Sequence, residues 1–365
     1  MNKATARVPF CLVAVTVLRS VLAGALVLTA AACSDSGWLG LFSADDGAAD
    51  RVVLRGATMG TSWSVIYGAS AEVSEEALMA SIQSRLEEIN ASLSTYIDES
   101  EISTLNRGEL PSPVQLSEDF GRVMDVALVT SQLTGGAYDV TVAPLVDLWG
   151  FGPRDFDGTL PTVDAIDEAR KSVGFSRLGW RSKERLLELP AGMSVDMSSV
   201  AKGYAVDQLA DLLMQAGIES MLVEIGGELR AHGERPEGGS WRIAVESPEP
   251  TEGRFVAALE VRDRAVATSG DYRNFFEVDG VRYSHLVDPR TGSPVTHELV
   301  SVTVVHTSCA VADAMATALI VMGLGDARAL AEREGLAAYF VTTTMAGLQV
   351  HSTSHFEALA VLEST

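Results

Sequence analysis

Val300-Ser-Val-Thr-Val-Val-His306, followed after Cys309 by Ala310-Val-Ala-Asp-Ala-Met-Ala-Thr-Ala-Leu-Ile-Val-Met322, holds both kinds of structure from which this chain is built. The first run alternates Val with Ser and Thr, as a strand does. The second is apolar on every side, which reads as a helix that is largely buried. Only Asp313 and Thr317 break its apolar character. They stand four apart and so share one helix face.

The flanking sequence repeats this mixture. Strands at 274–278 and 281–286 enclose Asp279-Gly280, the signal of a tight two-residue hairpin. A helix near 325–334 and strands at 337–342 and 347–351 close the chain. Short strands are expected at 241–246 and 256–269, and one at 221–225 ends at Gly226-Gly227. Further upstream, helices fall near 162–172 and 199–216. Ser117 caps a helix that runs through Phe120, Val123, Met124, Ala127 and Leu128 to a stop at Gly135-Gly136. Ser74 caps another, in which Leu78, Ile82, Leu86, Ile89 and Leu93 recur at helical spacing. Strands at 51–54 and 63–67 flank the turn Gly56-Ala-Thr-Met-Gly60. Strands and helices interleave without strict alternation. The expected class is therefore α+β, a compact mixed-sheet and helix domain, and not a doubly wound sheet.

Composition sets the outer limits. The 365 residues are 47% hydrophobic with 32 Gly and 12 Pro, as in a globular chain with a sizeable core. The formal net charge is −22. Such a surface repels phosphate backbones, which argues against a nucleic-acid partner. A phosphate-bearing ligand would need a local positive source: a metal, a placed Lys or Arg, or a helix N-terminus.

Residues 1–32 carry Lys3, Arg7 and Arg19, no acids, and the apolar run Val21-Leu-Ala-Gly-Ala-Leu-Val-Leu28 before Thr29-Ala-Ala-Ala-Cys33. That is the pattern of a signal peptide. Cys33 after small residues resembles a bacterial lipobox, although Ala30 stands where Leu is usual. Lipidation of Cys33 would make the chain an exported bacterial lipoprotein, anchored at the periplasmic face of the inner membrane. Residues 33–50, rich in Ser, Asp, Gly and Ala, read as the tether, and 51–365 as the domain. Cys11 would leave with the signal and Cys33 would be acylated, so Cys309 has no intrachain partner for a disulfide.

Four segments could carry chemistry. Asp313 and Thr317 offer hard oxygens suited to Mg²⁺. The same residues could instead favour the helix N-terminus and bond back to a carbonyl. Val195-Asp-Met-Ser-Ser-Val-Ala-Lys-Gly-Tyr204 places an Asp and Ser residues before a helix, with Lys202 one turn in. This could be an anion site or plain capping. Tyr283-Ser-His-Leu-Val-Asp-Pro-Arg-Thr-Gly292 puts His285 beside Asp288 and Arg290, as a general acid or base or as a structural His. Gly135-Gly-Ala-Tyr-Asp139, leading to Trp149 and Phe151, suits either a flat heterocycle or an aromatic core.

Together these segments resemble the ApbE family of FAD:protein FMN transferases. The motifs fall in the family's order: Met59-Gly-Thr61, Leu93-Ser-Thr-Tyr96, Tyr138-Asp-Val-Thr-Val, Asp196 through Gly203, Ala267-Thr-Ser-Gly-Asp, His285 through Gly292, and Ala312-Asp-Ala-Met-Ala-Thr317. The resemblance covers residue 51 to the C-terminus. It implies that Met59, Tyr96, Ala137, Tyr138, Asp139, Asp196, Lys202 and Val287 line the FAD site. It implies that Asp313 and Thr317 hold Mg²⁺ through side chains, Ser199 through its carbonyl, and that His285 lies beside the reacting phosphate. The acceptors would be subunits of membrane redox complexes of the sodium-pumping (Nqr) or Rnf type. Two departures stand out: Ala316 replaces a second Asp found in some members, and Met197-Ser-Ser199 replaces the commoner Leu-Gly-Ala. An FAD pyrophosphatase, or an FAD-binding lipoprotein without chemistry, would use the same residues.

Overall fold

The computed structural model describes residues 51–69, 73–152, 158–248, 255–272 and 274–362. The expected signal peptide, Cys33 and the tether lie outside the described residues. Eight strands form the main sheet in the order Arg51–Thr58, Thr61–Gly68, Met221–Ile225, Glu228–His232, Arg264–Gly270, Leu299–His306, Ala337–Thr344 and Gly347–Ser352. Spatial order follows chain order, and every neighbouring pair is antiparallel. The sheet is thus a meander with long excursions between strands, which is the α+β architecture expected.

Two excursions return the helices that matter most. Ser198–Gln215 lies over Met221–Ile225 and Glu228–His232, while Cys309–Met322 lies over the next two strands of the sheet. The helices also pack on each other. Cys309–Met322 therefore has protein on both sides, and its apolar circumference follows from that: Ala312, Ala316, Leu319 and Ile320 are all fully buried. Ser74 and Ser117 cap Glu75–Leu93 and Glu118–Leu133 through their side chains. Leu78, Ile82, Leu86, Ile89 and Leu93 all face the core.

Several boundaries differ from expectation for physical reasons. The first strand continues to Thr58, and the turn is only Met59-Gly60, both with positive φ (49° and 73°). The stretch 256–269 breaks at Asp263, which takes φ 52°. Phe255–Val261 pairs with Trp241–Glu246 in a separate small sheet, and Arg264–Gly270 enters the main one. Asp279-Gly280 forms the expected hairpin turn, with φ of 51° and 77°. Sequence periodicity did not reveal Glu228–His232, nor the short sheet of Val114–Gln115, Gly179–Arg181 and Leu186–Glu188.

The two helices are locked where they cross. Asp207 of the first helix accepts hydrogen bonds from Cys309 N, Ala310 N and Ser308 Oγ, at 3.0, 3.1 and 2.7 Å. Its carboxylate caps the second helix and also pairs with Arg230 at 2.9 Å. One turn earlier, Gly203 allows backbone to meet backbone. A Cβ there would lie 2.4 Å from Cys309 O and 2.7 Å from Asp313 Cβ.

Asp207→Ala should destabilise the fold by about 3 kcal/mol, because it removes a cap and leaves the buried N–H groups of Cys309 and Ala310 without their acceptor. Asp211→Ala, which touches Arg230 from a more exposed position, should cost less than about 1 kcal/mol. Gly203→Ala should cost about 2 kcal/mol by forcing the helices apart. Urea denaturation with constant m-value checks all three, and an Asp207→Ala cost no larger than that of Asp211→Ala would reject the capping role.

Candidate active site

Asp313 is only 3% exposed. Its Oδ2 accepts a hydrogen bond from Gly203 N at 2.9 Å, across the helix crossing. An α-helix directs the N–H of residue 203 at the carbonyl of Ser199, so this contact brings Asp313 and the Ser199 carbonyl to one place. Thr317 Oγ1 lies 3.0 Å from Ser269 Oγ on the adjacent strand. By contrast, Thr130 and Ser131 bond back to helix carbonyls at 3.0 and 2.9 Å, the usual habit of such residues. Nor does Asp313 serve the helix N-terminus, since Ser308 accepts from Val311 N and Asp207 from Cys309 N and Ala310 N. Neither ordinary structural role left open by the sequence is the one these two side chains play.

The candidate ligand atoms on these two helices are the Asp313 carboxylate, the Thr317 hydroxyl and the Ser199 main-chain carbonyl. Among the described residues, no group of three or more His, Cys, Asp or Glu side chains comes together. A set of hard oxygens with one carboxylate fits Mg²⁺, which keeps waters and substrate phosphates in its shell. Burial pushes the Asp313 carboxyl up to about 7. Lys202 and the Gly203 N–H oppose that rise, and Glu228 adds to it. A buried carboxylate under this strain gains from a nearby cation.

Lys202 supplies positive charge on the other side. Its Nζ stands 2.8 Å from Glu228 Oε2, so it is paired and does not project into solvent. Burial works against its charge, but Asp313 and Glu228 together raise its pKa and keep it protonated. The helix starts at Ser198, after Met197, and no serine side chain caps it. The Ser199 hydroxyl instead donates to Tyr138 Oη at 3.0 Å. Asp196 Oδ1 accepts from Ser198 N at 2.8 Å, and Asp196 N donates to Val140 O at 2.7 Å. These bonds bind the Tyr138 segment to the helix start.

His285 follows the Phe275–Val278/Val281–Ser284 hairpin. Its Nδ1 lies 2.9 Å from Asn274 O. A carbonyl only accepts, so Nδ1 carries the proton, and Nε2 of the neutral ring has a free lone pair. Burial holds its pKa below the ordinary value, the Asn274 carbonyl opposes this, and the charge of Lys202 lowers it further. The ring sits edge-on to Phe151, beside a stack of Trp149, Tyr283 and Phe276. Asp288 and Arg290 pair with each other at 2.8 Å and shape the turn.

The remaining expected residues lie on other parts of the fold. Ala137 is buried in one core cluster with Leu286, Ala312 and Ala316, and Val287 in another with Leu145 and Trp149. Tyr96 is 74% exposed and near enough to feel the charges of Asp196 and Asp147. Met59 sits half-buried at its hairpin tip against the main core. Asp139 has both oxygens engaged, Oδ1 by Thr141 N and Oγ1 and Oδ2 by Phe175 N, so its carboxylate shapes the loop. Sequence reasoning missed Glu228. The available signal was Gly226-Gly227 between two short runs, a hairpin that places an acid at the start of the returning strand.

The profile of the ApbE family matches residues 59–340. A Vibrio cholerae protein named FAD:protein FMN transferase is 40% identical over 310 residues, covering 85% of this chain and 92% of that one. The solved flavin transferase ApbE from Vibrio cholerae superposes with a TM-score of 0.79 at 39% identity, covering 85% of this chain and 99% of that chain. The apo flavinyl transferase ApbE of Pseudomonas stutzeri gives 0.77 at 37% identity, covering 85% and 96%. By the family match over residues 59–340, by 40% identity to a curated relative covered to 92% of its length, and by its likeness in fold to solved flavin transferases, this chain belongs to the ApbE family.

Proposed function

We propose that this protein transfers FMN from FAD to a Ser or Thr hydroxyl of an acceptor protein, releases AMP, and requires Mg²⁺. The observation that carries the metal requirement is the buried Asp313 carboxylate, which accepts one hydrogen bond across the helix crossing from Gly203 N and does not cap its own helix. Asp313, Thr317 and the Ser199 carbonyl would hold the ion. When bound, Mg²⁺ neutralises charge on the pyrophosphate and on the AMP leaving group. The names of the relatives support the flavin chemistry.

The chain's own groups supply the rest. Lys202 places a fixed cation where an otherwise acidic protein must accept phosphates. Tyr96 offers an exposed ring on which a flat heterocycle can stack, and Tyr138 braces the floor through Ser199. His285 Nε2 takes the proton of the acceptor hydroxyl as that oxygen bonds to the FMN-side phosphorus. The bond from that phosphorus to the AMP oxygen breaks, and AMP departs with the electron pair. Positioning and charge account for most of the rate in such transfers. Lipidation at Cys33 would hold the enzyme at the periplasmic face of the inner membrane, near acceptor subunits of Nqr- or Rnf-type complexes, and raise their effective concentration.

Incubation with FAD, Mg²⁺ and an acceptor domain should give a covalently fluorescent protein and one AMP per flavin attached. Free FMN without labelled protein would identify a hydrolase, and intact bound FAD a carrier. Asp313→Ala should abolish the metal-dependent rate; unchanged turnover would remove Asp313 from the site. His285→Ala should slow transfer by about 10²–10⁴-fold. Because the ring must be neutral and its pKa is held low, the acid limb of the wild-type rate at saturating Mg²⁺ should be centred below the ordinary histidine value of about 6.5. An acid limb centred above that pH would exclude His285 as the base.

A further inference from the structure

Glu228 is a buried carboxylate, 4% exposed, that the transfer chemistry leaves without a task. It opens the strand Glu228–His232 directly after Gly226-Gly227, and its Oε2 meets Lys202 Nζ at 2.8 Å. Lys202 precedes Gly203, the residue whose N–H holds Asp313. The Lys202 ammonium is thus paired with one buried carboxylate, and the next residue of its helix holds the other, Asp313, through its N–H. The observed ion pair goes to Glu228.

That choice has a consequence for metal binding. A lysine ammonium is a compact charge on a flexible stem. Paired with Asp313, it would neutralise the carboxylate and repel a dication from the same oxygen. Buried charges seek partners, so a Lys202 deprived of Glu228 would turn to the other carboxylate within range. We propose that Glu228 is a positioning residue: by holding the Lys202 ammonium, it keeps Lys202 off Asp313 and leaves that carboxylate open to the divalent cation. This rests on the assignment of Asp313 and Thr317 as the cation's side-chain ligands.

The test is titration of the full chain with Mn²⁺ alone, followed by electron paramagnetic resonance, with Mg²⁺ competition and without FAD. Glu228→Gln should weaken binding by about tenfold or more, the range of residues that orient metal ligands. Adding Lys202→Met to Glu228→Gln should restore affinity to near the wild-type value, because the competitor is gone. Lys202→Met alone should bind Mn²⁺ at least as tightly as the wild type, which keeps the idea testable if Glu228→Gln does not fold. Unchanged affinity in Glu228→Gln, no recovery in the double variant, or weaker binding by Lys202→Met overturns the positioning role alone. No binding by the wild type, or wild-type binding by Asp313→Asn, overturns the metal assignment and this inference with it.

Discussion

Everything in this site depends on how closely two helices cross. Gly203 has no side chain, so the backbone of Ser198–Gln215 can touch that of Cys309–Met322. The contact puts Asp313 against the Gly203 N–H and, by helix geometry, close to the Ser199 carbonyl. With any larger residue at that point, the carboxylate and the carbonyl would part. Asp207 secures the same crossing from the other end, where it caps the second helix with a side chain from the first. The residues that bring chemistry and the residues that hold the helices together alternate along one seam.

The seam also explains how an acidic protein can receive a dinucleotide. The chain's net charge is −22, whereas the candidate site contains the cation of Lys202, paired with Glu228. That local balance is sensitive to one more cation, because the Asp313 carboxyl is buried and raised toward neutrality. Each ionic group constrains the others: Glu228 fixes Lys202, Lys202 lowers both Asp313 and His285, and Asn274 sets the His285 tautomer.

Much of this was legible in the sequence. Apolar spacing in Leu78 through Leu93 and the even greasiness around Asp313 gave the helices and the burial. The Asp279-Gly280 turn gave its hairpin. Glu228–His232 was not legible, because Glu-Leu-Arg-Ala-His has neither β-branched residues nor an apolar run; its neighbours in the sheet make it a strand. For the same reason Glu228 read as an ordinary acid. The task of Asp139 was hidden as well. Its partners Thr141 and Phe175 belong to a loop closure that no local pattern announces. Side-chain direction was the other gap: the sequence paired Asp313 with Thr317 but left open where Thr317 points, and only the adjoining strand with Ser269 answers that.

The strand order of the main sheet follows the order of synthesis, but the helix cap does not. Asp207 leaves the ribosome long before the residues it caps, and its carboxylate must wait beside Arg230 until Ser308, Cys309 and Ala310 emerge. A nascent or prematurely terminated chain can therefore lay down most of its meander and still lack the Gly203–Asp313 crossing. Closing that crossing is a late event in the life of each molecule, tied to arrival of the helix Cys309–Met322.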